Sequence, residues 1–525
     1  MADRRRTTQA GAAAPTVVDG DGPGSGAGGD RLDRHTIVVA LVVVVGAVMA
    51  VLDTTIVNVA LDTLGRDLHA SLSTAQWVVT GYLLTLALVM PITGWAVDRF
   101  GAKRCWMLSI ALFITGSALS GLAWSMTSLI LFRLLQGLGG GMILPVGQTI
   151  VARVAGPQRM GRVMSVLGVP ILLGPVAGPV LGGYLVQDIS WHWIFYVNVP
   201  IGVVALILAA RVLPSSPIAH EEKLDLPGLV LVSAAVTAIV YGLSQADTYG
   251  GFGDPHVYGW ATAGALLLAA FAAYSVRLGR AARAAIIDVR LFRDRFFSAA
   301  SATSFLMGFG LFGAMLLLPL YYQVVRGNGA LDAGLLLVPQ GIGAAAAMPL
   351  AGRLTDRIGV RQVVLPGIGL AVLGTFVFTR VGAQTSYVLL AGSLLVRGFG
   401  LGSTMMPSIA AAYATLTREV VPRATTAINI VRQIGGSLGT AVLAVMLART
   451  IRDRLPASGA SHGLGGVGSI PPALREHVAP LLASAFGQTF WVAFALTAAV
   501  ALPAFFLPGA PVSQPTRARG SAAEL

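Results

Sequence analysis

The sequence predicts an all-α integral membrane fold: fourteen transmembrane helices, in two six-helix bundles with two further helices inserted between them. Three observations carry this. The 525 residues are 55 % hydrophobic and only 11 % charged, against roughly 25 % charged in soluble domains. The apolar residues fall in blocks of about 20, the length that spans a bilayer. A loop pattern, G-x-x-x-D-R-x-G-x-[KR], occurs twice, 258 residues apart. A soluble enzyme is excluded on composition. So is a disulfide-stapled secreted domain, because Cys105 is the only cysteine.

Residues 1–36 are polar and rich in Gly, Ala and Asp, and are expected to form a disordered tail. Arg4, Arg5 and Arg6 stand some thirty residues before the first apolar run, too far for the basic end of a cleaved leader. The first bundle, 37–213, holds spans at 37–61, 74–97, 105–124, 127–150, 162–187 and 193–213. Residues 214–290 supply a polar linker and the inserted spans 227–246 and 259–277. The second bundle, 291–508, holds spans at 297–324, 332–353, 362–380, 386–412, 424–448 and 488–508. Within it, 449–487 is expected to be a long outer loop, most simply a solvated cap, in which RTIRDRL (449–455) and PPALREHVAPLLASAF (471–486) have a helical look around a Gly/Ser stretch, and 509–525 form a second tail.

An even number of spans puts both termini on one side. Basic residues choose the side. With the termini inside, the inner segments hold 26 Arg and Lys, the outer loops seven, and the spans three (Arg133, Arg397, Arg432). The expected location is therefore a cell membrane with both termini cytoplasmic. The net charge of +13 records topology, and no nucleic-acid partner is expected.

The repeated loop reads Gly94-Trp-Ala-Val-Asp98-Arg99-Phe-Gly101-Ala-Lys103 after the second span and Gly352-Arg-Leu-Thr-Asp356-Arg357-Ile-Gly359-Val-Arg361 after the tenth. Arg133 with Gly137 and Pro145 is echoed by Arg397 with Gly402 and Pro407. Repeats of equal orientation imply two like bundles side by side about an axis along the membrane normal.

Further motifs stand in order on the spans: Leu52-Asp53-Thr-Thr-Ile-Val-Asn58 in the first, Arg133-Leu-Leu-Gln136-Gly137 in the fourth, Gly174-Pro175-Val-Ala-Gly178-Pro179-Val-Leu-Gly182-Gly183 in the fifth. Trp191-His-Trp193-Ile-Phe-Tyr-Val-Asn198 opens the sixth, and Asn429-Ile-Val-Arg432-Gln433-Ile-Gly435-Gly436 lies in the thirteenth. Together these resemble the fourteen-span drug:proton antiporter branch of the major facilitator superfamily, over roughly residues 37–510. One departure is Asp62, where that branch usually ends its first motif in proline.

Asp53 is the only acidic residue deep in an apolar span. A carboxylate there costs about 2.5–3.5 kcal/mol on insertion scales, which points to function by default. Desolvation favours its neutral form and brings it toward proton exchange at ordinary pH. Arg133 sits at a matching depth, about 8–9 Å from the midplane on the same side at 1.5 Å per residue. The two form either a proton-coupling pair or a static pair joining two helices. The resemblance implies the first, with Asp53 the proton-linked acid and Arg133 its relay.

Residues expected at the substrate cavity are Asn58, Gln136, Met307, Phe312, Tyr321, Arg397 and Met405. Flexible Met and flat aromatic faces suit varied hydrophobic ligands. Arg432 either lines the cavity or snorkels to lipid headgroups. The glycine–proline run of the fifth span (Gly174, Pro175, Gly178, Gly182) allows close helix packing, and the resemblance places it at the bundle interface of antiporters. The loop residues Gly94, Asp98, Arg99 and Gly101, with Asp356 and Arg357 in the repeat, are expected to latch one bundle's helix ends to the other's.

No metal site is expected, since the seven His are scattered without ligand spacing. No cofactor is expected either: Gly137-Leu-Gly139-Gly140-Gly141 follows an apolar helix rather than a strand, and no Walker A pattern occurs. The resemblance implies a proton-driven exporter of hydrophobic drugs or antibiotics, acting as a monomer on small molecules and protons among membrane lipids. With one deep acid against three deep arginines, neutral or monocationic compounds are expected to be favoured over dications. The alternatives are a dedicated exporter of one metabolite, self-made antibiotic or lipid, and a non-transporting membrane sensor.

Overall fold

The computed structural model describes residues 33–155, 159–215, 224–246, 249–280, 285–417, 419–454 and 472–510. Every regular element among them is helical. Thirteen helices are long and apolar enough to cross a bilayer, and a bent pair makes a fourteenth span. The first bundle comprises α1 (Arg34–Asp67), α2 (Thr74–Phe100), α3 (Ala102–Gly121), α4 (Met126–Ala155), α5 (Met160–Tyr184, continued by a π-turn over Leu185–Ile189) and α6 (Trp193–Val212). The inserted helices are α7 (Leu226–Ser244) and α8 (Pro255–Arg280). The second bundle comprises α9 (Arg295–Val325), α10 (Leu331–Ile358), α11 (Val360–Thr379), α12 (Tyr387–Ala412), α13 (Val421–Arg454) and α14 (Pro472–Ala499).

Capping fixes several starts. Ser71 accepts from the Thr74 amide ahead of α2, at 3.2 Å. Asp225 accepts from Gly228 at the head of α7 (3.0 Å), and Asp294 from Phe297 at the head of α9 (2.7 Å). Asp225 also takes the Tyr274 hydroxyl (2.8 Å), which pins α8 to α7.

Two boundaries differ from the sequence reading. The polar stretch after the thirteenth span continues α13 to Arg454, and α14 begins at Pro472, so the two segments with a helical look within 449–487 are helical where described and extend the spanning helices. Residues 455–471 lie outside the described residues, as do the tails 1–32 and 511–525 and most of the 214–226 linker. A helix satisfies its own backbone, so it can run past the bilayer surface where its side chains turn polar. Likewise α1 runs through Asp62, which forms an exposed i,i+4 pair with Arg66 at 2.6 Å.

Both described ends of the chain meet on one face: Arg361, at the head of α11, donates its amide to the Pro508 carbonyl (3.0 Å), and Arg34 and Arg211 line one shallow depression. This is the terminal face; the other is the distal face. The buried core is distributed unevenly between them. Toward the terminal face a single apolar cluster draws on both bundles, for example Val43, Ile150, Val163, Phe297, Met348, Met406 and Ile428. Toward the distal face the core is divided: Ile56, Leu64, Leu129 and Phe195 pack within the first bundle, and Leu317, Tyr321, Leu394 and Phe490 within the second. The bundles are therefore sealed together at the terminal face, while toward the distal face their cores separate and α5 still meets α10, where a Cβ on Gly334 would stand 3.0 Å from Val180 Cγ2.

The seam is formed by α5 against α10 and α12, and by α4 and the terminal half of α2 against α13. Gly174 and Gly182 let α5 ride close on α1: Thr55 donates to the Gly174 carbonyl at 3.1 Å, and a Cβ on Gly182 would sit 2.8 Å from Ile56 Cγ1. Gly178 faces Thr55 in the same way; the Pro175 side chain lies outside the described residues. α7 touches both bundles, with Ser233 donating to the Leu88 carbonyl of α2 (2.9 Å) and Leu243 packing with Ala441 and Val445 of α13. α8 packs on α7 and leaves most of its surface outward, as do Leu108, Leu131 and Val388 elsewhere. Such exposed apolar area suits lipid rather than water.

Candidate functional site

The site is built around Asp53. α1 withdraws this carboxyl completely and α4 withdraws Arg133, with exposures of 0 % and 1 %. Arg133 Nη1 lies 2.6 Å from Asp53 Oδ2 and also donates to Gln136 Oε1 (2.8 Å). Its Nε donates to the Val78 carbonyl of α2 (3.2 Å), and its guanidinium stands 4.1 Å from the Tyr82 ring centroid. The other carboxylate oxygen, Oδ1, accepts from Gln136 Nε2 (2.9 Å) and from Asn198 Nδ2 of α6 (3.1 Å). Asn198 in turn reaches Ser117 of α3.

Such a pair is affordable in an apolar interior only when the remaining lone pairs and protons are also met. The packing that permits this is tight. A Cβ on Gly116 would lie 2.6 Å from the Gln136 backbone, so glycine lets α3 close on α4 beside the network. Along α1, Ala50 belongs to the joined core and Ile56 to the distal core of the first bundle, so Asp53 sits at the level where the two bundles part.

The second bundle repeats the frame without the acid. Arg397 is buried; it donates to Gln340 of α10 (2.5 Å) and to Thr375 of α11 (3.2 Å). A Cβ on Gly374 would lie 2.6 Å from Arg397 Cβ, the counterpart of Gly116 beside Gln136. The repeat seen in the loops thus extends into the membrane, but among the described residues only one half carries a carboxylate at this level.

At the terminal face both repeat loops act as clasps. Asp98 stands 3.4 Å from Arg153 of its own bundle and 3.6 Å from Arg423 of the other. Asp356 stands 3.2 Å from Arg162 and accepts the Gly161 amide at 3.0 Å, again across the seam. The glycines that turn the chain behind them, Gly101 and Gly359, have φ of 84° and 99°, which a side chain would strain. Gly94 approaches the Arg423 backbone closely, a Cβ there standing 3.3 Å from its Cα. Arg99 and Arg357 are exposed beside the clasps.

The other expected cavity residues are scattered. Phe312 is half-exposed and lines a cavity of about 180 Å³ between α2, α7, α9 and α13. Met307 and Met405 are buried in the joined core. Tyr321 is buried in the distal core of the second bundle, donating to the Gly382 carbonyl (2.8 Å). Asn58 is exposed and bonds back to the Thr54 carbonyl (3.4 Å). Arg432 is partly buried, with one Nη on Asn429 Oδ1 (2.6 Å). Tyr82 and Gln148 were not singled out from sequence, and Asn198 entered only as part of the motif that opens the sixth span, with no role in the site. A polar residue inside an apolar span was the available signal. Among the described residues no group of three His, Cys, Asp or Glu could hold a metal.

Residues 43–440 match the family model described as Major Facilitator Superfamily. The chain belongs to this superfamily. It is 41 % identical over 496 residues to the "Multidrug resistance protein B homolog" of Mycobacterium tuberculosis, covering 91 % of each chain. It is 30 % identical over 491 residues to the "Tetracenomycin C resistance and export protein" of Streptomyces glaucescens, covering 89 % of this chain and 90 % of that one. Among solved superfamily structures it resembles the proton:xylose symporter XylE (TM-score 0.59, 14 % identity, 89 % of this chain and 94 % of that one). The human organic anion transporter MFSD10 gives a TM-score of 0.56 at 14 % identity, covering 89 % of this chain and all of that one. The superfamily fold makes this a multi-pass membrane transporter of small molecules and not an enzyme.

Proposed function

We propose that the chain is a proton-coupled antiporter of the cell membrane, with the terminal face cytoplasmic, that exports hydrophobic drugs or antibiotics by alternating access. The observation that carries this reading is the fully buried Asp53–Arg133 pair and its three amide and carbonyl satellites. The carboxylate receives three donors, one from Arg133, one from Gln136 and one from Asn198. Protonation places a hydrogen on one of those oxygens and removes the charge, so at least one donor must let go. Arg133 already holds Gln136 Oε1, the Val78 carbonyl and the Tyr82 ring face, so it stays hydrogen-bonded when the carboxylate lets go. Its charge is then buried without a counter-ion, and that cost couples the proton to a rearrangement of α4 against α1.

Asp53 takes a proton while the bundles part toward the distal face, loosens α4 from α1, and returns it after the clasps of Asp98 and Asp356 have opened. Each inward proton supplies about 2.3 kcal/mol per 100 mV and about 1.4 kcal/mol per pH unit. A neutral substrate can then be held at a gradient of the order of 100-fold by one proton per cycle. The relatives named for multidrug resistance and for tetracenomycin export support hydrophobic drugs as the cargo.

The test is dye efflux in everted vesicles under an imposed pH gradient. The parent is expected to accumulate the dye against its gradient and Asp53→Asn to lose that drive. Undiminished uphill transport by Asp53→Asn overturns the scheme.

A further inference from the structure

The mechanism leaves one polar cluster unused. On α13, Asn429 donates to Gln148 Oε1 of α4 across the seam (2.7 Å) and accepts from Arg432 (2.6 Å). The cluster is short of acceptors: the second Nη of Arg432 (Nη1) and the Nε2 of Gln148 are both buried without a partner. Among the described residues no carboxylate pairs with Arg432; the buried acid nearest in kind, Asp53, is committed to Arg133. An unpaired cation and an unpaired amide at one seam are costly unless something carrying oxygen acceptors visits them.

The cluster also adjoins space. Asn429, Arg432, Gly436 and Thr440 follow one stripe of α13 at helical spacing. The upper two residues line the cavity of about 180 Å³, together with Leu83 of α2, Leu243 of α7 and Phe312 of α9. Gly436 is what opens it: a Cβ there would meet the Phe312 ring at 2.7 Å. Gly308 of α9 likewise admits the Arg432 stem, at 3.2 Å from its Cγ. An apolar chamber thus begins one turn of α13 beyond Arg432, whose partner Asn429 holds Gln148 across the seam.

We infer that this is a ligand subsite: Arg432 and Gln148 hold a carboxylate or carbonyl oxygen of the cargo while its aromatic body lies against Phe312. The preferred cargo is then an oxygen-rich, neutral or anionic ring compound rather than a cation. This rests on the export reading above, and it adds a function to the seam. A ligand oxygen on Gln148 and Arg432 competes for the groups that join α4 to α13, so occupancy bears on whether the bundles can separate there.

Two xanthene dyes of like shape and opposite charge test it, fluorescein (anionic, with a carboxylate) and rhodamine 123 (cationic). Binding to the purified full chain in nanodiscs is measured by fluorescence polarisation with no gradient present. Fluorescein is expected to bind at least tenfold more tightly. Arg432→Gln is expected to abolish that preference and Gln148→Leu to weaken it severalfold, with rhodamine 123 binding retained as the sign of a folded protein. Phe312→Ala is expected to weaken both dyes. A parent that favours rhodamine 123, or an Arg432→Gln protein that keeps the preference, overturns the subsite. Because no gradient is used, a parent that binds fluorescein through Arg432 yet fails to pump it upholds the subsite and sinks the export reading.

Discussion

Arg133 Nη1 lies 2.6 Å from Asp53 Oδ2, and neither side chain reaches the surface. The pair joins α1 to α4 within the first bundle rather than across the seam. Its contacts therefore hold that bundle's own helices to one another. Four helices contribute to it, so removing any one partner reaches well beyond a single contact.

The two members of the pair should fail differently. Asp53→Asn keeps the shape and can still accept from Arg133, so folded protein and downhill dye movement are expected to persist while pH-driven uphill efflux falls at least tenfold. Arg133→Ala leaves a buried carboxylate without its cation, a loss of about 3–5 kcal/mol. Thermal melting in detergent should show a clear drop for Arg133→Ala and a smaller one for Asp53→Asn.

Arg133→Lys should not rescue. An ammonium on a flexible stem cannot serve Asp53, Gln136 and the Val78 carbonyl in the planar arrangement a guanidinium gives. Vesicle efflux of this variant is expected to stay within a few-fold of Arg133→Ala; recovery to the parent rate would show that charge alone suffices.

The clasps predict a shift in accessibility. Ser165 of α5 is buried at the seam, where a Cβ on Gly352 would stand 2.6 Å from its hydroxyl. In a Cys105→Ala background, Ser165→Cys should react slowly with a maleimide added at the terminal face. Asp98→Asn combined with Asp356→Asn removes an anion from each clasp and should raise that rate severalfold. An unchanged rate would mean that the apolar seal alone holds the face shut.

Close packing of α5 on α1 predicts a size limit at Gly182. A side chain there meets Ile56, whose carbonyl would be 2.9 Å from the new Cβ. Gly182→Leu is expected to lower the melting temperature and efflux together, with Gly182→Ala milder in both. Full activity in the leucine variant would show that the two helices can separate freely.

A small pH effect should come from His192, between α5 and α6. Burial lowers its pKa from the ordinary value near 6.5, against the opposing pull of Asp67. Its Nδ1 lies 2.7 Å from the Ser190 hydroxyl and its ring stacks on Trp191. The folded chain holds this proton less readily than the unfolded one, so the contribution is complete above about pH 6.5 and is lost as pH falls through the depressed value. Melting temperature should decline between pH 7.5 and 5.5, and His192→Gln should flatten that decline.

What the chain order alone determined was the number of spans, the repeat of its loops, and the one acid and the arginine that lie at matching depth in the first bundle. Those follow from the hydrophobic length of a bilayer, a recurring residue pattern and the rarity of a carboxylate in an apolar run, all of which are local properties. Asp53 and Arg133 could be matched because depth along a helix is arithmetic. Which side chains complete them was not legible: Asn198 and Tyr82 reach the network from α6 and α2, and nothing in spacing tells how those helices are rotated. Nor did it settle Arg432, whose partner Asn429 bonds Gln148, 281 positions away on the other bundle. The helical look of the two segments within 449–487 was legible, but that they run on from α13 and into α14 was not, because backbone hydrogen bonding, not hydropathy, decides where a helix ends. Only the packed molecule fixed the joined core on one face and the divided core on the other, since the seal depends on side chains from both bundles meeting.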